Sequence, residues 1–254
     1  MCMYSAIDGV VQEWHHTHLA QFASGGAGLI VAEATAVVPE GRISPRDAGL
    51  WNDEQRDAWV PVVEAIHSRG AVAGIQLAHA GRKASTWWPW ADARGSVPAA
   101  DGGWTTTAPS DIAFDGFAEP AALDQDGIDA VVEGFASATR RALDAGFDVL
   151  EVHGAHGYLL HQFLSPLSNL RDDEYGGSLE NRARLLIRVV GAIREVAGDG
   201  VPVFVRISAT DHAEGGFTPD EAAIVSGWAT EHGADLIDVS SGCLLYTSPS
   251  PRDS

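Results

Sequence analysis

Two imidazoles and a phenol lie close together in the segment His153-Gly-Ala-His156-Gly-Tyr158. Imidazoles at this spacing can both face one oxygen atom of a ligand and stabilise negative charge that develops there, while the phenol can deliver a proton. A metal site is the alternative, but it needs a third ligand, which Asp211 or His212 could supply. The pattern favours oxyanion binding with proton donation over the metal site.

Two further polar side chains lie in apolar surroundings. Arg206 lies in the run Val-Phe-Val-Arg-Ile, and an arginine inside a barrel must face an anion or a network of hydrogen-bond acceptors. Gln76, in Gly-Ile-Gln-Leu-Ala-His, offers a donor and an acceptor on one amide, which suits the edge of a heterocycle. Each is also compatible with an ordinary buried ion pair or hydrogen bond.

Short apolar runs and longer amphipathic patterns alternate along the chain, and these elements must position the polar residues. They predict strands at 28–34, 71–77, 147–153, 201–207 and 235–239, and helices at 52–69, 124–145, 178–196 and from 218 onward. Asn52 and Thr218 are each followed three residues later by Gln or Glu, which is typical of a capping box. The strands are nearly continuous apolar runs, as expected of parallel strands covered on both faces.

Repeated βα units of this kind build either a closed (β/α)₈ barrel or an open doubly wound sheet. Gly25-Gly26-Ala27-Gly28 leads into a strand, which is the wrong context for a dinucleotide-binding turn. Polar residues follow strand after strand, and barrel enzymes keep their catalytic groups at these carboxyl ends. An α/β barrel would therefore bring to one mouth Cys2, Tyr4, Ala34, Gln76, His153, His156, Tyr158, Arg206 and Ser240-Ser241-Gly242.

The composition limits the possible partners. A length of 254 residues with 45% hydrophobic residues fits one barrel domain. The net charge of −19 argues against nucleic acid and against an anionic membrane surface. Two cysteines cannot form a disulfide framework, and the sequence shows neither a signal peptide nor an apolar stretch of about 18 residues. We expect a cytoplasmic protein that acts on a small molecule.

Three conspicuous features are not assigned a catalytic role. His15, His16 and His18 lie near the start of a helix and are expected to pack or to face solvent. Lys83, the only lysine, suggests a Schiff-base aldolase, but the sequence predicts no apolar pocket around it. The connection 80–123 carries four tryptophans, which indicates either a packed lid or an insertion on the outside.

Four segments together resemble the old yellow enzyme family, most of all its bacterial branch with a cysteine near the flavin. They are HGAHGYLLHQFLSPLSNLRDDEYGGSLENRARLL from His153, the stretch from Gln76 to Lys83, the opening Met-Cys-Met-Tyr-Ser, and Val-Phe-Val-Arg-Ile-Ser. The resemblance extends from Met1 to about Gly242, apart from the tryptophan-rich connection.

The resemblance implies an FMN enzyme. Hydride would pass from NADPH or NADH through FMN to the activated C=C bond of an α,β-unsaturated carbonyl or nitro compound. By the same resemblance, His153 and His156 bind the substrate oxygen, Tyr158 donates the proton, Tyr4 helps to hold the substrate, and FMN contacts come from Cys2, Ala34, Gln76 and Arg206. The alternatives are a non-flavin barrel enzyme, either a metal hydrolase or a lysine-dependent aldolase, and an inactive fragment. The full-length form could be a homo-oligomer.

The opening Met-Cys-Met-Tyr-Ser is counted as the end of a first strand, and the barrel pattern stops after Ser240-Ser241-Gly242, so about six of the eight βα units are present. We therefore expect residues 1–242 to form a partial FMN-binding barrel, clipped at its start, and residues 243–254 to be a non-native tail. A barrel without its last two units would lack the usual phosphate site, so this chain is expected to bind FMN weakly or not at all and to be inactive.

Overall fold

The computed structural model describes residues 2–242 and 244–245. The helices are α1 Glu13–Ser24, α2 Asp53–His67, α3 Gln125–Asp144, α4 Leu159–Leu164, α5 Leu179–Ala197 and α6 Pro219–Glu231. The strands are β1 Leu29–Ala36, β2 Val72–Ala78, β3 Thr107–Ala108, β4 Ala121–Ala122, β5 Val149–Gly154, β6 Val203–Ser208 and β7 Leu236–Ser240.

Within the described residues, five strands form one parallel sheet in the order β1-β2-β5-β6-β7, and β3 pairs with β4 separately. Each strand of the main sheet pairs with the next one along the chain. A doubly wound sheet reverses its strand order at a switch point, so this order is that of a barrel wall. The predicted α/β barrel is therefore confirmed as an arc of parallel strands covered by helices.

The helices begin where their capping residues predict. Asn52 accepts a hydrogen bond from the Gln55 backbone N–H at 2.9 Å, and the Gln55 side chain returns to the backbone of Asn52. Thr218 and Glu221 form the same reciprocal box before α6. These pairs satisfy N–H groups that have no partner inside the helix, which fixes each helix start.

The number of strands predicted from the sequence is too high by one. Residues 2–5, counted as the end of a first strand, have no strand assignment in the described structure, so the sheet has five strands rather than six. The segment nevertheless lies against β1, because the Met3 backbone N–H donates to Glu33 Oε2 at 2.9 Å. The predicted tail lies outside the described residues except for Leu244 and Leu245.

The tryptophan-rich connection packs onto the barrel. The Trp104 indole N–H donates to the Glu40 carbonyl at 2.9 Å, and the Arg42 guanidinium lies 4.7 Å from the Trp104 ring centroid. Pro89 reaches the cavity described below, and the Trp90 ring meets the Tyr4 ring edge-on at 5.7 Å. The connection therefore forms part of the wall at the mouth of the barrel. In the described part of the chain, no helix is long and apolar enough to cross a membrane.

Candidate functional site at the carboxyl ends of the strands

A cavity of about 520 Å³ opens at the carboxyl ends of the strands. It brings together eight of the residues that the sequence placed at the mouth, namely Cys2, Tyr4, Ala34, Gln76, His153, His156, Tyr158 and Arg206. Ser240-Ser241-Gly242, also expected there, do not line the cavity, although Ser240 contacts His156. The predicted convergence on one pocket is thus present in the structure.

Strand register explains why these side chains meet. Ala34 pairs with Gln76, and Gln76 pairs with Glu151, so these three form one row across β1, β2 and β5. A second row across β5, β6 and β7 is His153, Arg206 and Asp238. Because paired residues on neighbouring parallel strands point to the same face of the sheet, each row presents its side chains to the barrel interior.

The two histidines and the tyrosine form a compact group. The His153 ring centroid lies 5.1 Å from that of His156 and 5.0 Å from that of Tyr158, both nearly edge-on. His153 Nδ1 accepts a hydrogen bond from the Ala155 N–H at 3.4 Å, which leaves Nε2 to carry the proton of the neutral ring. The Nε2 of His156 lies 2.7 Å from Ser240 Oγ.

Both imidazoles are neutral near pH 7. Burial, together with the positive charge of Arg206, lowers the pKa of His153 well below its usual value. Burial and the charge of Arg206 lower the pKa of His156 to about 4. A neutral imidazole offers one N–H donor, so the pair can bind an oxygen by hydrogen bonds without placing a positive charge in the cavity.

The turn that carries these residues has an unusual backbone. His156 has φ 59° and Gly157 has φ 72°, so two consecutive residues lie in the left-handed region. This region is unfavourable for a residue with a Cβ and persists only where the surroundings hold it. Lys83 Nζ donates to the His156 carbonyl at 2.9 Å, and the His156 N–H donates to Ser208 Oγ at 3.0 Å.

The surroundings of Lys83 differ from those expected from the sequence. It is buried, with Nζ 4.8 Å from the Phe114 ring centroid and 5.3 Å from that of Tyr158. The expectation that it lacks apolar surroundings is therefore wrong, because the aromatic residues come from segments distant in sequence. Its hydrogen bond to the His156 carbonyl supports a positioning role rather than a nucleophilic one.

The guanidinium of Arg206 has one buried N–H without a hydrogen bond to the residues that the structure describes. Its Nη1 lies 3.3 Å from Asp238 Oδ2, but its buried Nε has no hydrogen-bond partner among the residues that the structure describes. Beside it, Gln76 Nε2 donates to Glu151 Oε2 at 2.5 Å. A buried donor without a partner is costly, so a ligand acceptor is expected there. The carbonyl-rich pyrimidine edge of FMN fits this requirement.

The sequence analysis missed three carboxylates of the cavity, Glu33, Glu151 and Asp238. Burial raises the pKa of Glu151, and a hydrogen bond from Gln76 opposes this shift. Glu33 Oε1 lies 3.7 Å from Nε2 of the buried His15. The sequence pattern could have identified them. Each is a single acidic residue within an apolar parallel strand, and such a residue is expected to face the barrel interior.

The N-terminal segment closes one side of the cavity. Burial raises the pKa of the Cys2 thiol well above its usual value, with Asp47 and Glu33 adding to the shift. Burial likewise raises the pKa of the Tyr4 hydroxyl. Both groups are therefore protonated near neutral pH, and they present a thiol and a phenol to the cavity.

Neither candidate for the third metal ligand, Asp211 or His212, lines the cavity with His153 and His156. Asp211 is fully buried against His161 and Ser165 rather than facing His153 and His156. Across residues 2–242 and 244–245, no group of three or more His, Cys, Asp or Glu side chains is arranged to hold a metal ion.

Comparisons with known proteins agree with this site. A model of the NADH:flavin oxidoreductase / NADH oxidase family matches residues 1–254. An NADPH dehydrogenase from Listeria welshimeri is 47% identical over 252 residues, which cover 98% of this chain and 69% of that protein. The structure of morphinone reductase has a TM-score of 0.80 at 32% identity, covering 94% of this chain and 65% of that one. The old yellow enzyme homologue from Zymomonas mobilis has a TM-score of 0.78 at 31% identity, covering 92% and 65%.

The barrel wall and its cavity define an NAD(P)H-dependent flavin oxidoreductase, with FMN as the cofactor. The chain spans about two thirds of the length of the relatives named above. It belongs to the NADH:flavin oxidoreductase / NADH oxidase family, the family of old yellow enzyme. This membership favours the flavin enzyme over the metal hydrolase and the aldolase. The family match includes residues 243–254, so the division of the chain at residue 242 stays a prediction.

Proposed function

We propose that this protein reduces the activated C=C bond of α,β-unsaturated carbonyl or nitro compounds with hydride from NADPH or NADH. The observation that carries the proposal is the meeting of His153, His156 and Tyr158 with the unsatisfied Nε of Arg206 in one cavity. When bound, FMN supplies the hydride chemistry in both halves of the cycle, and the protein supplies orientation and electrostatics.

Four residues are proposed to hold FMN. The expectation that this chain binds FMN weakly or not at all stays a prediction, which the visible spectrum of the purified protein tests. Arg206 Nε and the Gln76 amide lie in adjoining rows of the barrel interior, where they can face the polar edge of a planar heterocycle. Ala34 offers a small side chain, so backbone can approach the ring closely. The Cys2 thiol, kept protonated by burial, is a weak donor beside it.

His153 and His156 are proposed to bind the carbonyl or nitro oxygen of the acceptor. Hydride addition to the β-carbon moves negative charge onto that oxygen, and two neutral N–H donors stabilise it. Donors already fixed by the fold need no reorganisation during the reaction, which is the source of their benefit. Tyr4, on the opposite wall, is proposed to help hold the same molecule.

Tyr158 is proposed as the proton donor to the α-carbon. Its ring lies 5.0 Å from that of His153, and Lys83 Nζ lies 5.3 Å from the Tyr158 ring centroid. A cation close to the phenol stabilises the negative charge that the oxygen acquires when the proton leaves. The tyrosine then recovers its proton from solvent at the cavity mouth.

An isotope experiment tests this assignment. The FMN-loaded protein reduces an α,β-unsaturated ketone once with deuterated NADPH in water, and once with ordinary NADPH in deuterated water. We expect nucleotide deuterium at the β-carbon in the first product and solvent deuterium at the α-carbon in the second. Absence of a saturated product, or nucleotide deuterium at the α-carbon, contradicts the proposal.

The proposal also covers the binding partners, the location and the oligomeric state of the protein. The net charge of −19 supports a protein that binds neither nucleic acid nor an anionic membrane, and we propose a cytoplasmic location and a homo-oligomer. Light scattering combined with size-exclusion chromatography tests the oligomer, and a single monomeric species at all concentrations contradicts it.

A further inference from the structure

A sealed polar cluster lies directly beneath the turn that carries Tyr158. His161, Ser165 and Asp211 are each 0% exposed. His161 Nε2 lies 2.9 Å from Asp211 Oδ1, and the Ser165 hydroxyl donates to Asp211 Oδ2 at 2.6 Å. The Phe217 backbone N–H donates to the same Oδ2 at 2.7 Å. His161 and Ser165, in and directly after α4, thus converge with the backbone of Phe217 on one carboxylate.

On the other side of the cluster, two side chains form hydrogen bonds with the backbone of Gly157. The Gly157 N–H donates to His161 Nδ1 at 2.8 Å, and the Gly157 carbonyl accepts from Gln162 Nε2 at 2.7 Å. Both polar groups of this residue are therefore bonded to side chains of α4. Gly157 lies between His156 and Tyr158, so its position decides where both functional side chains point.

The arrangement fixes one tautomer of His161. Because Nδ1 accepts from a backbone N–H, the proton of the neutral ring must be on Nε2. This atom lies 2.9 Å from Asp211 Oδ1, a charge contact whose geometry is not that of a hydrogen bond. A proton on Nδ1 would place two donors against each other at Gly157. A carboxylate that selects the tautomer of a histidine is a known way of orienting the ring.

We propose that Asp211 holds His161 in its Nε2–H tautomer, and that this pair positions the turn from His156 to Tyr158 for substrate binding and proton donation. His161 and Asp211 are positioning residues, and their kinetic consequence rests on the function proposed above. The cluster is not a hydrolytic triad, since the Ser165 hydroxyl is bonded to the carboxylate rather than to the imidazole, and all three side chains are sealed from substrate.

The substitution Asp211→Asn tests the tautomer with little change in shape. The Phe217 N–H requires an acceptor, so the amide oxygen takes the place of Oδ2 and the NH₂ group faces His161 Nε2. That donor drives the ring proton to Nδ1, against the Gly157 N–H. Ser168→Ala is the matched control, because it removes a buried hydrogen bond to the Gln162 carbonyl in the same loop without touching Asp211 or His161.

Histidine ¹⁵N spectra provide a measurement that does not depend on flavin. In the unaltered chain, His161, assigned by its loss in His161→Asn, is expected to have a protonated Nε2 and an unprotonated Nδ1. Asp211→Asn is expected to reverse this pattern, and Ser168→Ala to preserve it. A ring protonated at Nδ1 or at both nitrogens in the unaltered chain overturns the proposal, even if the variant does not fold.

Half-reaction kinetics of the FMN-loaded protein test the consequence. Asp211→Asn is expected to slow alkene reduction by roughly 10²-fold, the effect of misplacing a catalytic group by about 1 Å, and to change flavin reduction by NADPH much less. Equal slowing of both half-reactions, or no slowing despite a reversed tautomer, contradicts the positioning role. If no form reduces alkenes, the proposed function fails, whereas the spectra still decide the tautomer.

Discussion

Replacing His156 with alanine is expected to weaken the binding of phenol ligands, because the phenolate oxygen imitates the charged oxygen that develops on the substrate. Burial and the charge of Arg206 lower the pKa of His156 to about 4, so it acts as a neutral N–H donor to an ionised acceptor. A hydrogen bond to a charged group contributes about 1.5–3 kcal/mol, which corresponds to roughly 10- to 150-fold in Kd.

The assay is a titration of the FMN-loaded protein with a phenol that is ionised throughout the pH range, followed by the change in its visible spectrum. His156→Ala is compared with His212→Ala, whose exposed side chain lies outside the cavity. Because the pKa of His156 is depressed, its protonation does not change between about pH 6 and 8, and the ratio of the two Kd values is expected to be constant there.

Two results would refute the reasoning. An unchanged Kd for His156→Ala would mean that the imidazole does not contact the ligand oxygen. A loss that appears only below the usual histidine pKa of about 6.5 would mean that His156 binds as an imidazolium, contrary to its burial beside Arg206.

Three further predictions follow from other residues. Tyr158→Phe is expected to slow alkene reduction by about 10²-fold or more while flavin reduction by NADPH is nearly unchanged, and equal slowing of both steps in stopped-flow measurements would contradict proton donation. Arg206→Lys is expected to weaken FMN binding about tenfold in fluorescence titrations, because lysine cannot pair with Asp238 and also present a second fixed donor; unaltered affinity would contradict the contact. Burial lowers the pKa of His79 to about 4, so its stabilising contribution is present above about pH 6.5 and is lost as the pH falls towards 4. Urea unfolding of the parent and His79→Asn should therefore diverge by about 2 kcal/mol in pH dependence between about pH 7 and 5, and parallel curves would contradict the shift.

Much of the barrel was predictable because its signals are local. The capping pair Asn52 and Gln55 marked the start of α2 to the residue, and the apolar runs located all five strands of the main sheet. The segment 2–5 was assigned to a strand incorrectly, because a strand depends on pairing with a neighbour and a short run cannot show whether that neighbour is present.

The sequence by itself identified eight of the residues that line the cavity, but not its three carboxylates Glu33, Glu151 and Asp238. In a parallel barrel, residue type at a strand end decides what faces the mouth. The tertiary structure decided how they are held. The left-handed turn at His156, its bond from Lys83, and the contact of Asp211 with His161 each join residues that are distant in the chain. Such contacts depend on strand register and on packing between elements, which local patterns do not encode.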